Sequence, residues 1–176
     1  KPVSATFKPA EENFGYRIRR VDLEGSPEIP ALAEYIKLMD RASCLEKDGV
    51  CVFTMEHAMA ALYGSGIDNC LIELNGEEFP ILDGSSKYYV EEIGKVGIEE
   101  QEAERRYFTV KEQMEYCSED GQTKITLLPD TDYNVNLVVA YDSPYLQMQY
   151  ATYSEKTTDF AKEIAPCRTF VFLREL

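Results

Sequence analysis

What this sequence has little of excludes several classes of protein. Its 18 lysines and arginines stand against 32 acidic residues, which gives a formal net charge of -14, and no basic cluster is large enough to form a phosphate-binding stripe. We therefore expect it to bind neither nucleic acid nor, by electrostatics, an anionic membrane surface. It also lacks an apolar run of about 18 residues and a basic segment followed by an apolar core. These absences predict no stable membrane insertion, no signal peptide and a cytoplasmic location.

The number and spacing of the cysteines also restrict the compartment in which we expect the protein. The five cysteines are odd in number and form no C-x-x-C pair. This usage predicts reduced, mostly buried thiols in a reducing compartment. Cys44 and Cys51 flank a predicted hairpin, so a disulfide between them stays open as an alternative.

The only histidine, His57, lies in a stretch that predicts a short helix. Thr54 is a good N-cap residue, strong helix formers follow it, and two glycines then supply stop signals. We therefore predict a helix over 55–63. Its core-facing stripe, at helical spacing, consists of Met55, Ala58, Met59 and Leu62. Glu56 lies beside His57 on another face, which is left open.

Glu56 and His57 are the candidates for chemistry. The helix dipole favours an ionised carboxylate in the first turn, and an imidazole can bind a metal through a ring nitrogen. A general base beside a metal ligand is what a hydrolytic zinc site requires. Taken alone, the dipeptide is more typical of a solvated first-turn acid and a packed or surface histidine, so both interpretations stay open at this point.

Alternating β-forming residues and turn signals place strands around this helix. The strands predicted in the first half are 3–7, 16–23, 43–46, 50–53, 69–74 and 79–82. A turn at 47–49 makes a hairpin that leads into the helix, and 31–39 fits either a helix or an extended segment. Asp83-Gly84-Ser85-Ser86 precedes a helix predicted over 86–96, and we interpret Asp83 and both serines as caps only. The predicted buried face of this second helix is Tyr89, Val90, Ile93 and Val96.

A charged connection at 98–106 has little to bury, so it predicts a domain boundary within these 176 residues. Beyond it we predict strands at 107–117, 124–128, 133–141, 146–153 and 168–173, and a short helix at 157–164. The predicted fold is α+β with mostly antiparallel sheets, and each half has strands first and then a helix, which suggests two α+β layers of related design. The first domain is 1–101, and the second is 107–176.

Several motifs, in order, closely resemble one enzyme family. They are Thr-Phe-Lys-Pro-Ala at 6–10, Thr-Met-Glu-His-Ala-Met-Ala-Ala-Leu at 54–62, Gly-Ile-Asp-Asn at 66–69, Ile-Glu-Leu-Asn-Gly at 72–76, Pro-Ile-Leu-Asp-Gly-Ser-Ser at 80–86 and Ala-Pro-Cys-Arg-Thr-Phe at 165–170. Their order resembles that in the UDP-3-O-acyl-N-acetylglucosamine deacetylases, the zinc amidases of lipid A biosynthesis. The resemblance covers most of the chain.

The resemblance implies a reaction and its site residues. The reaction is hydrolysis of the N-acetyl amide of UDP-3-O-acyl-N-acetylglucosamine to UDP-3-O-acyl-glucosamine and acetate, the committed step of lipid A biosynthesis. By position, His57 is then a zinc ligand, Glu56 the general base that activates water, and Thr169 the hydrogen-bond donor to the developing oxyanion. The resemblance also implies two related two-layer α/β sandwich domains of mostly antiparallel sheets with helices packed on one face, and an active site between the helices of the two domains. On this basis the second domain, 107–176, is incomplete at its C-terminus. Some members are fused to a fatty-acid-type dehydratase, so the parent protein could carry that fusion.

The sequence departs from the family pattern at both ends. It lacks an opening Gly-Leu-His-Thr-Gly stretch, and it ends at Leu176 before the His-Lys-x-x-x-Asp-type motif that carries the other zinc ligands. A further catalytic histidine, and an insert that builds much of the acyl-chain passage, also lie downstream in the family. Because a catalytic zinc usually has three protein ligands, we expect the parent protein to be the deacetylase and this chain alone to be inactive.

Two other classes of function stay open. One is a non-catalytic ligand- or partner-binding module on the same fold, and the other is a purely structural domain. Alternating aromatic and methionine side chains near the end of the second half could form a surface for either, although on a strand they are more typical of a core. These residues are Tyr145, Met148, Tyr150 and Tyr153.

Overall fold

The computed structural model describes residues 2–37, 43–141 and 143–170. Within these ranges the chain has an α+β fold with mostly antiparallel sheets and few helices, which confirms the predicted class. It divides into two compact units. The first joins the described residues of 1–104 with those from 160 onward, and the second is Arg105–Asp159.

The described residues of the first unit form two sheets. Their strands are β1 Ala5–Pro9, β2 Tyr16–Arg20, β3 Glu28–Pro30, β4 Ile36–Lys37, β5 Cys44–Lys47, β6 Val50–Phe53 and β7 Cys70–Leu74. One sheet has the order β1-β7-β2-β3, with β7 antiparallel to β1 and parallel to β2. The other is the antiparallel sheet β4-β5-β6. The predicted hairpin is β5–β6, and its turn uses Gly49 at a φ of 80°, a conformation that suits glycine.

Two α-helices, α1 Glu56–Gly64 and α2 Lys87–Val96, lie among the described residues of this unit. Both predicted helices are thus confirmed to within about one residue at each end. The predicted stripe of α1 faces the core, where its small and branched side chains pack against both sheets and α2. The buried core consists of Ile18, Ile29, Leu45, Val52, Met55, Ala58, Ala61, Leu62, Cys70, Ile72, Leu74, Phe79, Tyr89 and Ile93. This packing fixes the first turn of α1, where the only histidine lies.

Tertiary context overrides the sequence pattern at two places in the first unit. Residues 79–82 form no strand. Phe79 is buried there at 2% exposure, and Pro80 has no N–H to donate to a sheet. Val96, predicted on the buried face of α2, is 89% exposed because the last turn of the helix runs past the core. The segment 31–39, left open above, contains a 3-10 turn at Ala33–Tyr35 and strand β4, and its last two residues lie outside the described ranges.

The second unit contains two antiparallel hairpins. They are β8 Met114–Cys117 with β9 Lys124–Leu127, and β10 Asn134–Val139 with β11 Gln149–Ser154. The sequence predicts a strand at each of these places, over a longer span. Most of the side chains are exposed, including Tyr145 at 95% and Met148 at 67%. The aromatic and methionine residues singled out above therefore lie mainly on a surface of this unit rather than in a core.

The described residues from 160 onward, 160–170, group with the first unit. Phe160–Ile164 form a π-helical turn, in which the N–H of Ala165 donates to the carbonyl of Phe160 at 2.8 Å. Ala165 is buried at 1% exposure. The second domain predicted from the sequence, 107–176, includes these residues, because a run of predicted strands gives no sign that the chain returns to the first unit. Residues 168–170 form no strand, and the rest of the predicted final strand lies outside the described residues.

The five cysteines are all free thiols. Cys44 and Cys70 are buried, Cys51 is half-buried, and Cys117 and Cys167 are exposed. The expectation of mostly buried thiols therefore holds for only part of the set, and no disulfide joins Cys44 to Cys51.

In the described part of the chain, every helix is too short or too polar to cross a lipid bilayer.

Candidate functional site

Glu56 and His57 occupy the first turn of α1, shortly after strand β6. The chain enters the helix through Thr54, whose φ of 58° is unusual for a β-branched residue. The Thr54 hydroxyl donates to Oε1 of Glu78 at 2.8 Å, and the N-cap position is taken by Met55. The predicted Thr54 cap is therefore wrong. The Thr54 side chain instead connects the junction between β6 and α1 to the loop after β7, through its hydrogen bond to Glu78.

The imidazole of His57 carries a buried nitrogen, Nε2, that has no hydrogen-bond partner among the described residues. A buried polar atom in this state costs about 1–3 kcal/mol, so its persistence requires an explanation. Coordination of a metal ion by the Nε2 lone pair would remove that cost. This observation favours the metal-ligand interpretation of His57 over that of a satisfied packed histidine.

The Glu56 side chain lies exposed at the first position of α1. This exposure lets water reach the carboxylate oxygens. A carboxylate and an imidazole from consecutive residues thus lie on one helical turn. Together they can accept a proton from water and hold a metal.

Residues 83–86 form a turn, here called the 83–86 turn, that contacts the same end of α1. Ser86 is only 6% exposed, and its Oγ donates to the backbone carbonyl of His57 at 2.9 Å. Ser86 occupies the N-cap position of α2, as the sequence predicts, but its side chain makes no capping hydrogen bond to that helix. The Oγ of Ser85 accepts from the N–H of Lys87 at 3.1 Å and so performs that role. The hydroxyl of Ser86 is committed to α1 instead.

Asp83 holds this turn together. Its Oδ1 accepts hydrogen bonds from the Ser85 hydroxyl at 2.7 Å and from the Ser85 N–H at 3.2 Å. The Ser85 hydroxyl chiefly, with help from backbone N–H groups and the positive charge of Arg168, lowers the pKa of Asp83 below its ordinary value. Asp83 is therefore a charged, fixed acceptor at neutral pH.

Thr169 contacts the other side of the 83–86 turn. Its N–H donates to the carbonyl of Gly84 at 2.8 Å. A Cβ atom on Gly84 would lie 3.4 Å from Cγ2 of Thr169, so the two residues are in direct contact. The side chain of Thr169 is exposed, which leaves its hydroxyl accessible to a ligand.

The 83–86 turn therefore connects the site residues predicted from two distant parts of the sequence. Its contacts to His57 and Thr169 come from Ser86 and Gly84, whose Cα atoms can be no more than about 7 Å apart. Sequence reasoning missed both as site-building residues. The one signal was that Asp-Gly-Ser-Ser contains more polar groups than a single helix cap requires.

The described residues fit one part of a metal centre. His57 offers a nitrogen ligand, but no group of three or more His, Cys, Asp and Glu side chains among the described residues could hold an ion. Catalytic zinc usually takes three protein ligands. His57 can therefore be one ligand of a set that these residues do not complete.

Comparison with known proteins gives one consistent family. A family model described as LpxC, UDP-3-O-acyl N-acetylglycosamine deacetylase, matches residues 1–176. The chain is 49% identical over 174 residues to the "Bifunctional enzyme LpxC/FabZ" of Bacteroides thetaiotaomicron, which covers 99% of this chain and 38% of that protein. It is 48% identical to the enzyme of the same name from Porphyromonas gingivalis, covering 99% of this chain and 37% of that protein.

A third relative is named for a single activity. The "UDP-3-O-acyl-N-acetylglucosamine deacetylase" of Marinobacter nauticus is 40% identical over 176 residues, which covers 99% of this chain and 57% of that protein. The chain thus spans 37% to 57% of the length of these three relatives.

Proposed function

Because this chain belongs to the LpxC family of UDP-3-O-acyl N-acetylglycosamine deacetylases, we propose that its parent protein hydrolyses the N-acetyl amide of UDP-3-O-acyl-N-acetylglucosamine. The products are UDP-3-O-acyl-glucosamine and acetate, and the reaction serves lipid A biosynthesis in the cytoplasm. The observation that carries the proposal is the buried Nε2 of His57, without a partner among the described residues, next to an exposed carboxylate on one helical turn.

In this proposal His57 is one ligand of a catalytic zinc. A bound zinc supplies Lewis acidity, which polarises the amide carbonyl and makes water easier to deprotonate. Glu56 acts as general base and takes a proton from the attacking water. The Thr169 hydroxyl donates to the oxyanion that forms as the water oxygen adds to the carbonyl carbon. Glu56 then returns this proton to the sugar nitrogen as the C–N bond breaks, which leaves acetate and the amine of the sugar.

We also propose that the remaining zinc ligands belong to a part of the parent protein outside residues 1–176. His57 is the only histidine of the chain, and the described residues contain no three-ligand cluster. The relatives are longer than this chain, which leaves room for such ligands. The isolated chain is then inactive. Two relatives are named bifunctional, which supports a fusion of the parent to a fatty-acid-type dehydratase as a further proposal.

A second candidate function is a non-catalytic ligand- or partner-binding module on the same fold. The observation that favours it is the exposure of aromatic and methionine side chains on the second unit, such as Tyr145 at 95%. This candidate requires no metal, so zinc binding separates it from the first.

The test is bound zinc per chain, by elemental analysis after dialysis against a weak chelator. It compares the full-length protein, the 176-residue chain and His57→Ala in each. We expect about one zinc and acetate release in the full-length protein, neither in its His57→Ala variant, and neither in the short chain. Met59→Ala, a truncation on the same helix, is the matched control and should retain its zinc. Full activity in His57→Ala, or a zinc-free active parent, would overturn the proposal.

A further inference from the structure

The 83–86 turn bonds to two separate segments of the first unit, which is more than the start of a helix requires. Ser85 alone satisfies the first N–H of α2, through the hydrogen bond from Lys87. The Ser86 hydroxyl and the Gly84 carbonyl are therefore free of capping duty. Each is bonded to a residue proposed to act in the reaction, His57 in one case and Thr169 in the other.

The contact between Ser86 and His57 acts on the backbone of the metal ligand. In a helix the carbonyl of residue i accepts from the N–H of residue i+4, which for His57 is the N–H of Ala61. The Ser86 hydroxyl adds a second donor to that oxygen, at 2.9 Å, from a side chain that is 6% exposed. It thereby holds the first turn of α1 from outside the helix. The position of the imidazole follows from the position of that turn.

The contact between Gly84 and Thr169 acts on the proposed oxyanion donor. Gly84 has a φ of 80°, a conformation that residues with a side chain rarely adopt. This conformation directs its carbonyl to the N–H of Thr169 at 2.8 Å, and the methyl group of Thr169 lies where a Cβ of Gly84 would contact it at 3.4 Å. A side chain at position 84 would therefore strain the turn and place a methyl group in contact with Thr169.

The turn itself is stiff. Two hydrogen bonds from Ser85 to Asp83 close it internally, at 2.7 and 3.2 Å, and Gly84 and Ser85 are buried. A rigid connection between two functional residues is what preorganised catalysis requires, because misplacement by about 1 Å can cost about 100-fold in rate.

We propose that the 83–86 turn is a positioning element that sets the placement of Thr169 relative to His57, through Gly84 on one side and Ser86 on the other. The inference rests on the proposed deacetylase function and names further positioning residues for it. Gly84 and Ser86 are assigned no contact with substrate or metal in this role. Each acts through the backbone of the residue it holds, so the two sides of the turn control different steps.

The first experiment isolates the Thr169 side in the full-length protein. Gly84→Ala is compared with Gly49→Ala, which also has a φ of 80° but has no atom within 4 Å of its added Cβ. The positive φ is therefore matched, whereas Gly84 is buried against Thr169 and Gly49 is exposed with no such contact. We expect Gly84→Ala to lower kcat at least about tenfold while zinc content and KM stay within about twofold of wild type. Gly49→Ala should leave kcat unchanged.

The second experiment isolates the His57 side. Ser86→Ala is compared with Ser65→Ala at the other end of α1, and the dissociation constant for zinc is measured by chelator competition. We expect weakening of about tenfold for Ser86→Ala and none for Ser65→Ala, since supporting hydrogen bonds near metal ligands commonly contribute this much. The absorption spectrum of the cobalt-substituted protein should also shift in Ser86→Ala alone.

The outcomes separate this inference from the function on which it rests. A wild-type parent that binds no zinc and releases no acetate overturns the proposed function. An active wild type in which Gly84→Ala matches Gly49→Ala, and Ser86→Ala matches Ser65→Ala, overturns the positioning role alone. An equal loss of zinc and kcat in both turn variants, with a parallel drop in Tm, would show a general structural role and also overturn it.

Discussion

The ring of Phe160 lies against Gly64 so closely that a Cβ atom on Gly64 would overlap it. Gly64 is the last residue of α1, and Phe160 begins the π-helical turn that groups with the first unit. The missing side chain at Gly64 therefore allows the π-helical turn Phe160–Ile164 to pack against the end of the helix that carries His57.

We expect Gly64→Ala to destabilise the protein by about 1–3 kcal/mol, because overpacking forces the ring or the helix to shift. Alanine is otherwise the better helix former by about 1 kcal/mol, so a net loss would identify the contact with Phe160 as the cause. The free energy of unfolding, from denaturant titration, is the measurement.

Gly94→Ala supplies the control for that substitution. Gly94 lies inside α2, and a Cβ there would meet no atom within 4 Å. This variant should gain about 0.5–1 kcal/mol from helix propensity alone. If Gly64→Ala were stabilising to the same degree, the close approach of Phe160 would be refuted.

The buried Nε2 of His57 predicts how a substitution changes the stability of the metal-free protein. Replacing His57 by leucine removes a buried polar atom that has no partner among the described residues. We expect the metal-free variant to be at least as stable as the wild type, with a gain of up to about 1 kcal/mol. Added zinc should raise the Tm of the full-length wild type and leave that of His57→Leu unchanged. A variant several kcal/mol less stable without metal would indicate a histidine kept for packing.

Glu73 predicts a pH dependence of stability. Its carboxylate accepts from Lys8, with Nζ to Oε2 at 2.7 Å, and also pairs with Arg19 at 3.3 Å. The hydrogen bond from Lys8, followed by the charges of Lys8 and Arg19, lowers the pKa of Glu73 below its ordinary value. Because the folded state favours the charged form, this contribution to stability is present above the unfolded pKa. It is lost as pH falls through the lower, folded pKa.

Glu73→Gln should therefore be less stable than wild type at pH 7, with a difference that shrinks from about pH 4 downward. Thermal unfolding at a series of pH values measures this difference. Glu24→Gln, at an exposed turn position, is the control and should follow the wild-type profile. A difference for Glu73→Gln that persisted unchanged into acid would exclude the charge interaction as its origin.

The cysteines should differ in their reactivity with iodoacetamide. Burial raises the pKa of the Cys70 thiol to about 11 and also raises that of Cys44, so neither supplies thiolate at neutral pH. Cys117 and Cys167 are exposed. We expect rapid labelling of these two and protection of Cys44 and Cys70 until denaturant is added, with mass spectrometry of peptides as the measurement. Rapid labelling of native Cys70 would contradict the burial of strand β7.

Individual turns and helices could be predicted because a short stretch of sequence determines each of them. Lys47-Asp48-Gly49 gives a turn because Asp48 and Gly49 take positive φ values, of 51° and 80°, and such turns join two strands directly. Helix α1 follows from its run of helix formers, and its buried stripe follows from spacing alone. In the same way, the ordered motifs around His57 were sufficient to indicate the family.

Other features depended on residues that are far apart in the sequence. Thr54 has a side chain that could cap a helix, but its hydroxyl donates to Glu78 instead. Val96 has the spacing of a core residue, but the core ends one turn before it.

What the sequence by itself determined was the set of local elements, the family and the candidate residues Glu56, His57 and Thr169. Only the tertiary structure decided that the 83–86 turn joins two of them. Ser86 is separated from His57 by 29 positions, and the N–H of Thr169 donates to the carbonyl of Gly84, which lies far earlier in the sequence. Hydrogen bonds over such separations leave no periodic trace in a sequence. They depend on where the packed core places each backbone, which the sequence specifies only through the complete fold.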